Sequence, residues 1–199
     1  MKMLLTLRVT CILTALLSLL FIPASLIALS EFKEFLSLAE KGDANAQLSL
    51  GMMYFEGDKV EQNYKEAFMW FQKSAQKGNP SAQNNLGVMY NRGIATPTDY
   101  VEAAKWFKKA AKQGHLDAQH TLAYFYQQGK GVGQNYKTAL YWYEVAALHG
   151  HPYAQNNLAA MYHNGIGVER NYKEAVKWYE KAAAQGDITA QTNLGILYY

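Results

Sequence analysis

Ser74-Ala75-Gln76-Lys77 fits the S-x-x-K string, in which one helical turn sets a lysine amine beside a serine nucleophile for acyl transfer. No S-D-N or K-T-G string accompanies it. The residues 36 and more places on are Ala110, Ala146 and Ala182, so Ser74 reads as a packing slot for a small side chain. Ser30-Glu31-Phe32-Lys33 meets the same string, which shows how little it specifies. His149 and His151 flank Gly150, and His115 shares the register of His151. Imidazoles collect metal ions when cysteines or carboxylates converge with them, and none stands nearby. His149-Gly150-His151 reads as an exposed turn, with His151 as a helix cap where other repeats use Asp43, Asn79 and Asp187. Gly129-Lys130-Gly131-Val132-Gly133 leaves a helix and follows no strand, so it is no phosphate loop. No catalytic residue, metal ligand or cofactor is therefore expected, and the chain reads as a non-enzyme.

The elements that would position these residues follow from a strict internal repeat. Ala46, Ala82, Ala118, Ala154 and Ala190 are each 36 apart, and each is followed by Gln. Leu50, Tyr54, Trp70 and Gly78 open further series with the same period. A fixed period of this length means a stack of supersecondary units, each burying its apolar face on its neighbours. Most of the fifteen tyrosines fall on repeat positions, so they read as packing and not as a sugar or base platform.

Each repeat predicts two helices. The first carries Ala46, Leu50 and Tyr54 on one face, with Gly51 allowing a close neighbour. It ends near Gly57, Gly93, Gly129 and Gly165, the residue type that takes left-handed backbone at a helix C-terminus. A connector follows, whose Val60, Val132 or Val168 is expected to plug the gap between the two helices; repeat two has a stiffer version with Pro97. The second helix opens at Asn63, Asp99, Asn135 and Asn171, good N-caps. Glu66, Glu102 and Glu174 complete a capping box. Tyr64, Ala67, Trp70, Phe71 and Ala75 form its apolar face. The full repeats are 43–78, 79–114, 115–150 and 151–186, between half-repeats 31–42 and 187–199. In the first half-repeat Glu34 replaces the tryptophan, as in a terminal cap.

Residues 1–30 are expected to lie outside this domain. Lys2 and Arg8 precede an apolar run over 9–22, Pro23 breaks it, and Ala28-Leu29-Ser30 suits cleavage after Ser30. That is a signal-peptide pattern; the alternative is an uncleaved membrane anchor. Either exports the repeats to the periplasm or beyond, or leaves them anchored facing the periplasm. The only cysteine, Cys11, falls in this segment. From residue 31 on, 17 basic and 16 acidic residues leave about +1, which is no nucleic-acid footprint.

The chain resembles the Sel1-like repeat family, relatives of the tetratricopeptide repeat. The resemblance rests on Leu158, Tyr162, Gly165, Gly167, Val168, Tyr172, Ala175, Trp178, Tyr179, Ala182, Ala183 and Gly186. It departs at Ala123 and Ala159, where Gly is usual, and at Lys59-Val60 and Ala95-Thr96, where Gly-Val is usual. The resemblance implies an all-α, right-handed α/α superhelical solenoid that acts as an adaptor or scaffold for a protein or peptide. Nucleic acid and small-molecule substrates are not expected, and a membrane only through an uncleaved N-terminal segment. Exported relatives include envelope proteins, so a peptidoglycan-associated structural protein is the alternative. Cysteine-rich relatives labelled β-lactamase make a β-lactamase-like hydrolase a further alternative, although they have a disulfide in each repeat, which this chain lacks.

In tetratricopeptide-like stacks the first helices line the concave face. Positions two, six, nine and ten after the repeat alanine should then face a groove. They give Leu48, Met52, Phe55 and Glu56, then Asn84, Val88, Asn91 and Arg92. His120, Tyr124, Gln127 and Gln128 follow, then Asn156, Ala160, His163 and Asn164. These vary between repeats while the core positions hardly do. Amide and imidazole groups can both donate and accept toward a peptide backbone.

Overall fold

A computed structural model describes residues 24–197. Helix α1 is Ala24–Glu40. Four helix pairs follow: α2 Ala44–Glu56 with α3 Tyr64–Gln76, α4 Pro80–Arg92 with α5 Tyr100–Lys112, α6 Leu116–Gln128 with α7 Tyr136–Leu148, and α8 Pro152–Asn164 with α9 Tyr172–Ala184. Helix α10, Ile188–Leu197, closes the series. No strand occurs among the described residues, and each helix packs chiefly on the one before and the one after it. This is the all-α solenoid the period implies. The apolar run over 9–22, Cys11, Tyr198 and Tyr199 lie outside the described residues. Helix α1 runs through the cleavage point drawn after Ser30.

The repeated residues each have a mechanical part. Leu50, Leu86, Leu122 and Leu158 are fully buried, as is the ring that follows each tryptophan: Phe71, Phe107, Tyr143 and Tyr179. Burying such a ring is worth roughly 2–3 kcal/mol. The ring seats on the first helix of its own repeat. A Cβ at Gly51 would come within 2.5 Å of the Phe71 ring, and one at Gly87 within 2.9 Å of Phe107. Repeats three and four have Ala123 and Ala159 there, with tyrosine as the ring. The glutamine after the repeat alanine is buried in the four full repeats and ties neighbouring repeats. Gln47, Gln83, Gln119 and Gln155 donate through Nε2 to the carbonyls of Ala39, Ala75, Ala111 and Ala147, at 3.0–3.2 Å.

Several expectations need correction. The second helices use half a capping box. Asn63 Oδ1 accepts from the amides of Lys65 and Glu66. Its own N–H, however, donates to Tyr54 O at 2.8 Å, and Asp99, Asn135 and Asn171 repeat the arrangement. With that donor occupied, the glutamates turn outward, where Glu102 and Glu174 pair with Lys105 and Lys177. Tyr64 is not core. With Tyr100, Tyr136 and Tyr172 it heads its helix in solvent, 41–49% exposed, and its ring edge meets Phe55. The connector valine fills the seam between repeats as well as the gap within one. Val132 packs on the cluster of Ala104 and Phe107 in the preceding repeat. There Gly131, at φ 66°, lies so close that a Cβ would overlap Tyr100 O.

Candidate binding face

The proposed groove positions sort into three groups. One group is committed to neighbouring first helices. Met52 Sδ accepts from Asn85 Nδ2, His120 Nε2 from Asn157 Nδ2 at 3.0 Å, and Asn156 Oδ1 from Asn193 Nδ2 at 3.3 Å. A second group leans on the second helix. Phe55 meets Phe71 and Tyr64, Gln127 Oε1 accepts from the Tyr143 hydroxyl at 2.9 Å, and His163 meets Tyr172 edge-on. Val88 packs on the Ala103–Phe125 cluster, and Asn91 Oδ1 is buried without a partner. The third group is open: Glu56, Arg92, Tyr124, Gln128 and Asn164 are exposed. None of the sixteen positions is fully buried, whereas the Leu, Gly/Ala and Met/Phe between them are, from α2 through α8.

The richest chemistry is a cluster joining repeats three and four. His151 Nδ1 accepts from Ala154 N at 3.1 Å, the cap expected from its position, and His115 caps Ala118 in the same way. With Nδ1 accepting, the His151 proton sits on Nε2, which donates to Asp117 Oδ1 at 3.1 Å. His151 is therefore 7% exposed, not part of an open turn; His149 is the exposed member. The His120 ring stacks on His151, centroids 4.9 Å apart, with Tyr143 and Tyr153 at its edges. Burial, then the neighbouring His151, pushes the His120 pKa down to about 4, and Asp117 opposes this. The ring is thus neutral, accepting at Nε2 and carrying its proton on Nδ1. Burial likewise lowers the pKa of His115 and raises that of Tyr143. Single residues gave no sign of this cluster, because its bonds cross 34 and 37 residues of sequence.

The other candidates take structural places. Ser74 is fully buried and its hydroxyl donates to Ala44 O at 2.6 Å. Lys77 lies instead beside the Gly42 turn. Among the described residues no three His, Cys, Asp or Glu side chains gather as metal ligands.

The Sel1 repeat family matches residues 44–79, 80–115, 116–151 and 152–187. The chain belongs to the Sel1 repeat family. Its fold is also that of solved Sel1 structures. One is a protective antigen present in uropathogenic Escherichia coli strains, with TM-score 0.81 and 36% identity over 83% of this chain. This chain spans 36% of that antigen's length. Another is a Sel1 repeat protein from Oxalobacter formigenes, with TM-score 0.77 and 33% identity, covering 84% of this chain and 67% of that one. Helicobacter pylori cysteine rich protein B shares the fold at TM-score 0.53 and 24% identity, over 67% of this chain and 96% of its own. No curated protein matched the chain. Sel1 repeat proteins are typically protein-interaction scaffolds and generally not enzymes.

Proposed function

We propose that the chain is an exported scaffold that holds an extended segment of a partner protein along the face made by α2, α4, α6 and α8. One observation carries this reading. Along that face the buried positions repeat almost without change, while the positions between them differ in every repeat: the exposed Glu56, Arg92, Gln128 and Asn164 at one, and Met52, Val88, Tyr124 and Ala160, of which Tyr124 is exposed, at another. A surface that must read a partner needs such variation on a fixed frame. Amides, one arginine and an open tyrosine suit a peptide backbone and its side chains, and no phosphate-binding charge accumulates there. Export rests on the pattern of residues 1–30.

The test is affinity capture of residues 31–199 from envelope extract, beside a variant with Arg92, Tyr124 and Gln128 changed to alanine. His120 and Asn156 are unsuitable probes because they stitch the repeats together. A protein retained by the native face and lost with the variant, at equal helicity, supports the reading. Equal capture by both would move the binding site elsewhere.

A further inference from the structure

The second helices carry a charge pattern that the groove does not use. Lys105, Lys108, Lys109 and Lys112 stand at i, i+3, i+4 and i+7 of α5, which places them in one stripe. All four are exposed. Lys105 pairs with Glu102, and Lys109 lies over the Trp106 ring at 3.8 Å. Lys108 and Lys112 make no ion pair or hydrogen bond among the described residues. Over α3, α5, α7 and α9 the same four register positions hold seven lysines against two glutamates, although the chain from residue 31 on is nearly neutral. The positive charge is therefore gathered on one side.

Beside the lysines the surface is more apolar, with Glu144, in register with Lys108, as the acidic residue of the α7 stripe. Trp142 of α7 packs on the cluster that Ala104, Ala110 and Ala111 of α5 form with Ala118 and Leu122 of α6, so α7 follows α5 along the stack. The α7 residues in register with Lys105 and Lys112 are Tyr141 and Leu148, 57% and 66% exposed. A recess of about 240 Å³ runs between α5 and the next connector, floored by Ala104, Leu122 and Val132 and rimmed by Lys105 and Lys108.

We propose that this side of α5 and α7 docks on a lipid bilayer bearing anionic headgroups. Lysine is a compact point charge without the planar fork that selects single carboxylates, so a lysine-only stripe suits a diffuse sheet of phosphates. Exposed tyrosine and leucine beside it fit the boundary between headgroup and hydrocarbon. An acidic protein or a nucleic acid would use the charge and leave Tyr141 and Leu148 unexplained. The surface lies on the second helices, so it leaves the proposed groove free and stands independently of it.

The test is co-sedimentation of the full chain with vesicles of phosphatidylcholine alone and with about a third phosphatidylglycerol. Residues 9–29 are apolar enough to hold the chain on neutral vesicles too, so the readout is the anionic-to-neutral ratio. The native ratio should exceed one and fall with salt. Changing Lys108 and Lys112 to glutamine should lower binding to anionic vesicles about 25-fold, at about five-fold per lysine. Tyr141→Ser with Leu148→Ser should weaken binding without changing its salt dependence. A ratio of one, or a lysine variant of equal helicity that binds as the native chain does, would overturn the proposal. So would tighter binding to an acidic peptide or to single-stranded DNA than to anionic vesicles.

Discussion

At the scale of single residues, what the repeats fail to share is informative. The glutamine that ties each first helix to the repeat before it also has a carbonyl oxygen to satisfy. Gln83 Oε1 accepts from Gln113 Nε2, and Gln155 Oε1 from Gln185 Nε2, both at 2.8 Å. Gln47 Oε1 and Gln119 Oε1 are buried and unpaired. The reason lies 30 residues on, where repeats one and three have Lys77 and His149 in place of glutamine. His149 turns back to its own helix, its Nδ1 2.8 Å from Val145 O. His149→Gln should restore the missing donor, since the backbone there matches that of Gln113 and Gln185. An unmet buried acceptor costs about 1–3 kcal/mol, and one neutral hydrogen bond returns about 0.5–1.5 kcal/mol. Urea unfolding should show a gain of about 1 kcal/mol; a loss of stability would mean that the Gln119 oxygen is met by solvent.

At the scale of elements, the helices were legible and their joints were not. Leu50, Tyr54 and Trp70 with their equivalents predict both helices of every full repeat, and Gly57, Gly93, Gly129 and Gly165 end the first helices with left-handed backbone as expected. Helix caps depend on a few adjacent residues, so His115 and His151 could be read as caps from their place alone. The capping box was over-read because the competing acceptor, Tyr54 O, becomes a neighbour only after the connector folds back. The bonds of Asn157 to His120 and of Asn193 to Asn156 join successive first helices and need the stack to be seen. Of the candidate face, the rows were legible, but not which members stay free.

Joints between elements also set the pH response. His120 on α6 faces Asp117 of its own helix, Tyr143 of α7, and His151, Tyr153 and Asn157 of α8 and its cap. Its folded pKa, about 4, lies below the unfolded value of 6.5. Between those values the unfolded chain binds more protons, so stability is full above pH 6.5 and is lost as pH falls toward 4. The contribution is about 3 kcal/mol, since each pH unit between the two values is worth about 1.36 kcal/mol. His120→Asn isolates it. Asn156 occupies this position one repeat on and accepts there from Asn193; an asparagine in place of His120 would accept from Asn157 in the same way. The variant should lose less stability than the native chain between pH 6.5 and 4 in urea unfolding. His115 shifts in the same direction in both proteins and cancels from the comparison.

At the scale of the whole molecule, each described helix packs chiefly on the helices before and after it, and side-chain bonds such as Asn157 to His120 join successive first helices, so the fold is a sum of like interfaces. That makes removal of one repeat a sharp test. Deleting residues 80–115 joins Asn79 to Leu116 in register. Asn79 already caps a first helix through Ala82 N, and in the shortened chain it would cap through Ala118 N. Gln119 Nε2 would donate to Ala75 O in place of Ala111 O, the bond that Gln83 now makes. The new seam would set α6 on α3, with Ala118 and Leu122 where Ala82 and Leu86 now pack against Ala75. The cap, the buried glutamine bond and the apolar seam are thus each replaced by one of their own kind, while Thr121 takes the place of Asn85 beside Met52. The shortened chain should keep its helicity per residue and unfold in one transition, at a lower midpoint because one interface is gone. Its urea m-value should fall by about a fifth, in proportion to the surface no longer buried. Loss of helicity, or two separate transitions, would show that repeat two supplies something its neighbours cannot. The Ala95-Thr96-Pro97 connector, with Ala95 at φ 59°, would then be the first place to look.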